Sequence, residues 1–214
     1  MGQLRSSIDV IGDRDELHRR MATDGYLFLP GCLDRDEVQA ARTSSLERLT
    51  KNGIFEEGHA LDEAILKPGQ ALRSAMDVPL GNEPLLKLLY SGRMMEFYEF
   101  FFNGPAAHFD HTWFRSKSSD PTVVTHPHCD IVYMSRGEIR NRYTSWTPLG
   151  EVPFEMGGLM ILEGSHVQAE LKATYGQTDV DVYCENIGDA AAIMARAKAE
   201  NRDLTAEEKK SITW

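Results

Sequence analysis

The densest concentration of chemistry-bearing side chains is Thr125-His126-Pro127-His128-Cys129-Asp130. On a strand, residues two apart face the same side, so His128 and Asp130 can aim at one point about 7 Å apart along the backbone. An imidazole nitrogen and a carboxylate oxygen from such positions are two corners of a facial triad. That donor set suits iron(II) and leaves positions open for a cosubstrate and oxygen. A bare His-x-Asp also fits a surface pair or a satisfied histidine, so the stretch needs support from its surroundings. His126 shares the face only if Pro127 leaves the strand regular, and it reads as a wall residue rather than a ligand. His108 and His111, just before Trp113, read as strand or loop residues with a lesser case for a substrate-pocket role.

The elements that must position these residues fall into two textures. Residues 13–23 have the pattern of an amphipathic helix starting near Asp13, and residues 25–30 that of a short strand between Gly25 and Pro30. Asp34 caps a second helix with acids in its first turn. Residues 52–70 read as loop. Pro84 opens a third helix that runs to the Asn103-Gly104-Pro105 stop, and its Met, Phe and Tyr stripe reads as core packing. After residue 106 come short β-prone runs, AHFDHTWFRS, TVVTHPHCDIVYMS, RYTSWTPLG and GLMILEGSH, separated by turn residues. The pattern predicts a β-sandwich or barrel with helices on its N-terminal side. From Asp189 to Lys210 the chain returns to helix, and Ser211-Ile-Thr-Trp214 has the look of another strand opening.

Sixteen residues after Asp130 stands Trp146, within Tyr143-Thr-Ser-Trp-Thr-Pro-Leu149. Glu155-Met-Gly-Gly-Leu-Met-Ile-Leu-Glu-Gly-Ser-His166 then joins a glycine turn, an apolar run and a Gly-Ser-His end. In this order of motifs, and in the opening DGYLFLPGCLDRDEVQAAR (Asp24 to Arg42), the chain resembles the phytanoyl-CoA dioxygenase family of iron(II)- and 2-oxoglutarate-dependent oxygenases. The likeness runs through most of residues 13–170. It implies a mainly β fold with flanking helices: a double-stranded β-helix, or jelly-roll barrel, incomplete at its C-terminus. One domain would fill 1–214, with a helix-rich part at 1–105, barrel strands at 106–188, and a helical insert plus the start of a strand at 189–214.

The resemblance also implies roles. His128 and Asp130 would ligate iron, and Trp146 would line the 2-oxoglutarate pocket. Arg73 and Lys117 sit near positions where relatives contact the cosubstrate, though each fits a solvated surface cation as well. His166 would be structural or near the substrate. The implied reaction hydroxylates an unactivated C–H bond of a small organic or acyl substrate with O2, giving succinate and carbon dioxide from 2-oxoglutarate, with ascorbate as a candidate reductant.

The pattern breaks in one place. The family needs a distal histidine to complete the triad and an arginine about ten residues beyond it to hold the far carboxylate of 2-oxoglutarate, and neither has a good counterpart after His166. The expectation is therefore an N-terminal part of a longer protein. The alternative is a non-catalytic, barrel-derived binding or scaffold protein. A binuclear zinc hydrolase, whose His-x-His-x-Asp continues with a second histidine, is disfavoured because Ile131 follows Asp130.

Composition sets the outer bounds. The 214 residues carry 23 Lys and Arg against 33 Asp and Glu, a net charge of −10 that disfavours a nucleic-acid partner. No apolar run approaches the roughly 20 residues of a spanning helix. A loose Met-Gly-x-x-x-Ser myristoylation pattern at the start is too short to weigh. Cys32, Cys129 and Cys184 are odd in number and widely spaced, which points to reduced thiols and a cytoplasmic setting.

Overall fold

The structure, a computed structural model, describes residues 2–68, 70, 75, 77–109, 111–115, 128–130 and 141–174. The chain divides into two compact units, one of residues 1–126 with 145–166 and the other of 127–144 with 167–214. Four helices form the frame of the first: α1 (Arg14–Asp24), α2 (Arg35–Thr50), α3 (Glu83–Tyr90) and α4 (Gly92–Phe102). A short helix, α5 (Ala169–Ala173), belongs to the second.

Local chemistry sets the helix ends. The Asp13 carboxylate accepts from the Glu16 N–H at 3.0 Å, and Asp34 accepts from the Asp36 and Glu37 N–H groups. Each cap satisfies donors that have no partner within the helix. Gly25, at φ +79°, closes α1 in the left-handed conformation that glycine adopts without strain. Asn103 closes α4 the same way, its N–H donating to Phe100 and that of Gly104 to Glu99. The single helix expected from Pro84 to Phe102 is in fact two. Ser91 is extended at φ −150°, its hydroxyl and N–H both turned back to the Lys87 carbonyl, and Gly92 restarts the next helix at φ +51°.

Two apolar clusters hold α2 in place. Ala41 packs with Leu85 and Leu88 of α3, joined by Leu33, Val38, Leu89, Phe114 and Leu149. Farther along α2, Leu46 and Leu49 pack with Val78, and Ile54, Phe55 and Leu61 close over them. Between the clusters sits Asn82, fully buried. Its Oδ1 accepts from the Ser44 hydroxyl at 2.8 Å and caps α3 through the Leu85 N–H, while its Nδ2 donates to the Val78 carbonyl and Ser45 Oγ. At the other end of the unit, α1 meets α4 where the His18 ring stacks on Phe101, with centroids 4.2 Å apart, and donates from Nε2 to the Phe101 carbonyl.

The segment before α1 is pinned by one buried arginine. The Arg20 guanidinium donates twice to Asp9 and once each to Glu16 and the Ser6 carbonyl. Hydrogen bonds from Arg19 and then Arg20 hold the Glu16 carboxyl at about 2, and the Arg20 hydrogen bonds lower that of Asp9.

The jelly-roll expectation is overturned. Among the described residues there is no strand, and regular structure is helical; pairing is limited to isolated bridges, Ser6 with Phe28 and Phe55 with Leu66. The strand expected at 25–30 reduces to the first of these. The described parts of the other β-prone runs, 107–109, 111–115, 128–130, 142–150 and 158–166, form no ladder; the last of them ends in the 3-10 turn Ser165–Val167. Alternating apolar residues favour extended backbone, but a strand exists only when a neighbour accepts its hydrogen bonds. Without one, Phe154, Met156, Leu159, Met160 and Leu162 are all at least half exposed. The strands expected in 122–127, 131–135 and 211–214, and the helix after Asp189, lie outside the described residues.

Two outcomes test this frame. Asn82→Ala removes the α3 cap and takes a partner from buried Ser45 and half-buried Ser44, and should cost about 2–4 kcal/mol in urea unfolding. Because both carboxyls of the Arg20 cluster lie below their unfolded values, their stabilisation is full above the ordinary carboxylate range. It is lost as pH falls from about 5 towards 2. The melting temperature should drop across that window, and less steeply in Arg20→Met, in which Arg19 still holds Glu16.

Candidate functional site

The strongest chemical signal in the sequence, His128 and Asp130, lies in the second unit. The two side chains stand together: His128 Nε2 is 3.2 Å from Asp130 Oδ1, and each side chain is about one-third exposed. Cys129 between them is half-buried and reduced. The backbone is irregular here rather than a strand. The juxtaposition expected of alternate residues is therefore present without a sheet to impose it.

The distance itself bears on a metal. Two donors each ~2.1 Å from one ion, at a right angle, stand ~3.0 Å apart, close to the separation of this pair. One borderline nitrogen and one hard oxygen, reachable from solvent, fit a divalent first-row ion such as iron(II). Binding would take the place of the direct contact between them and require Nε2 without its proton. Among the described residues no group of three or more His, Cys, Asp and Glu side chains is placed to hold a metal, so the third protein donor is not located.

The remaining candidates separate. Trp146 belongs to the first unit and is about half exposed. Its position is set from α4: the Tyr98 and Ser145 hydroxyls are 2.6 Å apart, and Ser145 also reaches Met94 Sδ. Three residues on, Leu149 enters the α2–α3 cluster. A Cβ on Gly150 would come within 2.5 Å of the Arg42 guanidinium, whose other edge donates to the Asp62 carbonyl. Arg73, Lys117 and His126 lie outside the described residues.

His166 has a structural post. Its Nε2 meets the Ala22 carbonyl at 3.1 Å, at the C-terminal end of α1, and its ring covers Gly25 so closely that a Cβ there would lie 2.4 Å from Nδ1. A histidine is well suited to a helix C-terminus, where carbonyls lack partners and the dipole is negative. His108 stacks on Tyr90 with centroids 4.1 Å apart, and the His111 carbonyl accepts from the Tyr90 hydroxyl. Both are loop residues anchored to α3. Sequence reasoning missed Tyr98 as the anchor of the tryptophan segment. It sits in an aromatic stripe assigned wholly to core, of which Phe101 alone is fully buried.

Two curated relatives are similar to this chain. Both are 1-deoxypentalenic acid 11-beta-hydroxylases, one from Streptomyces arenae at 27% identity and one from Streptomyces exfoliatus at 26%. Each match extends over 163 residues, covering 73% of this chain and 56% of the relative. The chain thus spans about half the length of the curated relatives it matches. No family profile matches it, and no solved structure does.

Glycines 25 and 31 make a controlled comparison. Both have positive φ, so alanine at either should cost about 1–2 kcal/mol, but only Gly25 lies under a side chain. Gly25→Ala should lower the melting temperature by more than Gly31→Ala does, and pairing it with His166→Ala should recover part of the difference.

Proposed function

We propose that the protein is an oxygenase of the phytanoyl-CoA dioxygenase type, hydroxylating an unactivated C–H bond of a small organic or acyl substrate with iron(II), 2-oxoglutarate and O2. The observation that carries this reading is the His128–Asp130 pair, 3.2 Å apart and open to solvent, within a motif order that resembles that family. The similarity to two hydroxylases supports it at the level of reaction class. In the overall change, substrate C–H, O2 and 2-oxoglutarate give substrate C–OH, succinate and carbon dioxide.

His128 through Nε2 and Asp130 through a carboxylate oxygen would hold the iron. When bound, the metal supplies the electrons and open positions that couple oxidation of the 2-oxo acid to hydroxylation. The carboxylate offsets part of the ion's charge, and the neutral imidazole leaves it electron-rich enough to be oxidised. Trp146 would wall the cosubstrate pocket and keep water from it, while Arg73 and Lys117 are the cations proposed to face the carboxylates of 2-oxoglutarate. Ascorbate would keep the iron ferrous. Cys32 and Cys129 are free thiols, which accords with a reducing, cytoplasmic setting. Among the described residues no helix is long and apolar enough to cross a membrane.

A second reading, a non-catalytic binding or scaffold protein, draws on His166, whose Nε2 is engaged by the Ala22 carbonyl at the end of α1.

One experiment separates the two. Iron content is measured on the protein and on His128→Ala and Asp130→Ala, together with succinate released from 2-oxoglutarate with ascorbate present. The oxygenase reading expects bound iron in the parent, loss of more than about 90% of it in either variant, and succinate from the parent alone. Trp146→Ala should raise the 2-oxoglutarate concentration needed several-fold with iron unchanged. Equal iron in all three proteins would remove His128 and Asp130 from the metal site. Iron without succinate at any 2-oxoglutarate concentration would favour the binding protein.

A further inference from the structure

A cleft of ≈ 380 Å³ opens beside the C-terminal half of α2, where the loop after the helix folds back on it. Its apolar wall is Phe55, Leu61 and Ile65, and its polar edge is Glu47, Glu56 and His59. The volume is within the range of small-molecule sites, about 300–1,000 Å³. The wall is preformed. Phe55 and Leu61 pack against the buried Leu46, Leu49 and Val78, and the loop is closed by the Glu56 N–H to the Ile65 carbonyl and the Lys67 N–H to Ile54.

The charges around the cleft are one-sided. Among the described residues no lysine or arginine lines it. Two cations that reach this loop are directed to backbone carbonyls, Lys67 Nζ to Gly53 and Arg42 to Asp62. His59 lies between two carboxylates, its Nδ1 3.2 Å from Glu63 and its Nε2 3.5 Å from Glu56. Glu47 and Glu56 on the edge, with Glu63 beside His59, outnumber the one imidazole, so this side of the cleft is net negative whichever protons the ring carries.

We propose that this cleft binds a hydrophobic organic cation, an ammonium carried on an aromatic or aliphatic body, with the charge at the edge that carries Glu47 and Glu56 and the body against Phe55, Leu61 and Ile65. An alcohol of the same shape would keep the apolar contacts and lose the ion pairs. A carboxylate would meet like charge. The phenyl face of Phe55 adds a further preference for a cation. This site is independent of the oxygenase reading and is tested without iron or 2-oxoglutarate.

The probes are phenethylammonium, phenethyl alcohol and phenylacetate, each titrated into the metal-free protein and followed by calorimetry and by NMR shifts of the residues 47–65. Saturable binding of the ammonium is expected, about tenfold weaker binding of the alcohol, and none of the carboxylate. The double variant Glu47→Gln, Glu56→Gln should weaken ammonium binding about tenfold or more with its melting temperature held. Ile65→Lys, which puts a cation on the wall at a partly exposed position, should do the same and decides the matter if the double variant does not fold. Absence of saturable ammonium binding, equal affinity for alcohol and ammonium, or undiminished affinity in the variants would overturn the proposal.

Discussion

The first unit depends on the satisfaction of one buried amide. Asn82 has no solvent around it, so each of its polar atoms must find a partner inside the protein. It finds them on three pieces of chain at once: Ser44 and Ser45 of α2, the Val78 carbonyl before the turn, and the Leu85 N–H in the first turn of α3. Apolar packing alone would let α2 and α3 slide by a turn at small cost, because Ala41, Leu85 and Leu88 are shapes that can repack. A fully bonded amide between two hydrophobic clusters fixes the register. The loop over Leu46 and Leu49, the Leu149 contact and the entry to α4 all take their positions from that register.

The same frame carries elements that have little preference of their own. The tryptophan segment has no regular structure, yet its side chains at Ser145 and Leu149 are held by α4 and by the α2–α3 cluster. The histidine at position 166 closes the C-terminal end of α1 from more than a hundred residues away in sequence. Long-range anchors of this kind let an irregular chain present side chains at defined places, which is what a binding surface requires. The second unit offers a smaller but chemically sharper feature, a histidine and an aspartate within hydrogen-bonding distance.

How much of this was legible in the sequence follows from the range of the forces involved. Asp13, Asp34 and Asn103 announce helix ends because their partners lie within four residues. The helix break at Ser91 was missed because an apolar periodicity runs through it, and one extended residue followed by Gly92 shifts the phase with little sign in composition. The runs around Trp113, Trp146 and Leu159 were read as barrel strands from alternation and resemblance. Alternation reports which backbone shape a residue prefers, and not whether a second strand is there to pair with it. The His128–Asp130 proximity was legible because the two residues stand only two apart in the chain. The anchoring of Ser145, next to Trp146, by Tyr98 was not, since it joins positions 47 residues apart with no local pattern to mark them.

The approach of Arg42 to Gly150 has a bearing on how this sequence can change over time. The guanidinium occupies the space a side chain at 150 would need, while its other edge holds the Asp62 carbonyl. A larger residue at 150 would push the end of this flexible side chain aside, a small shift that acts directly on its hydrogen bond to Asp62. Substitutions at the two positions are therefore coupled, since a shortened side chain at 42 opens room at 150.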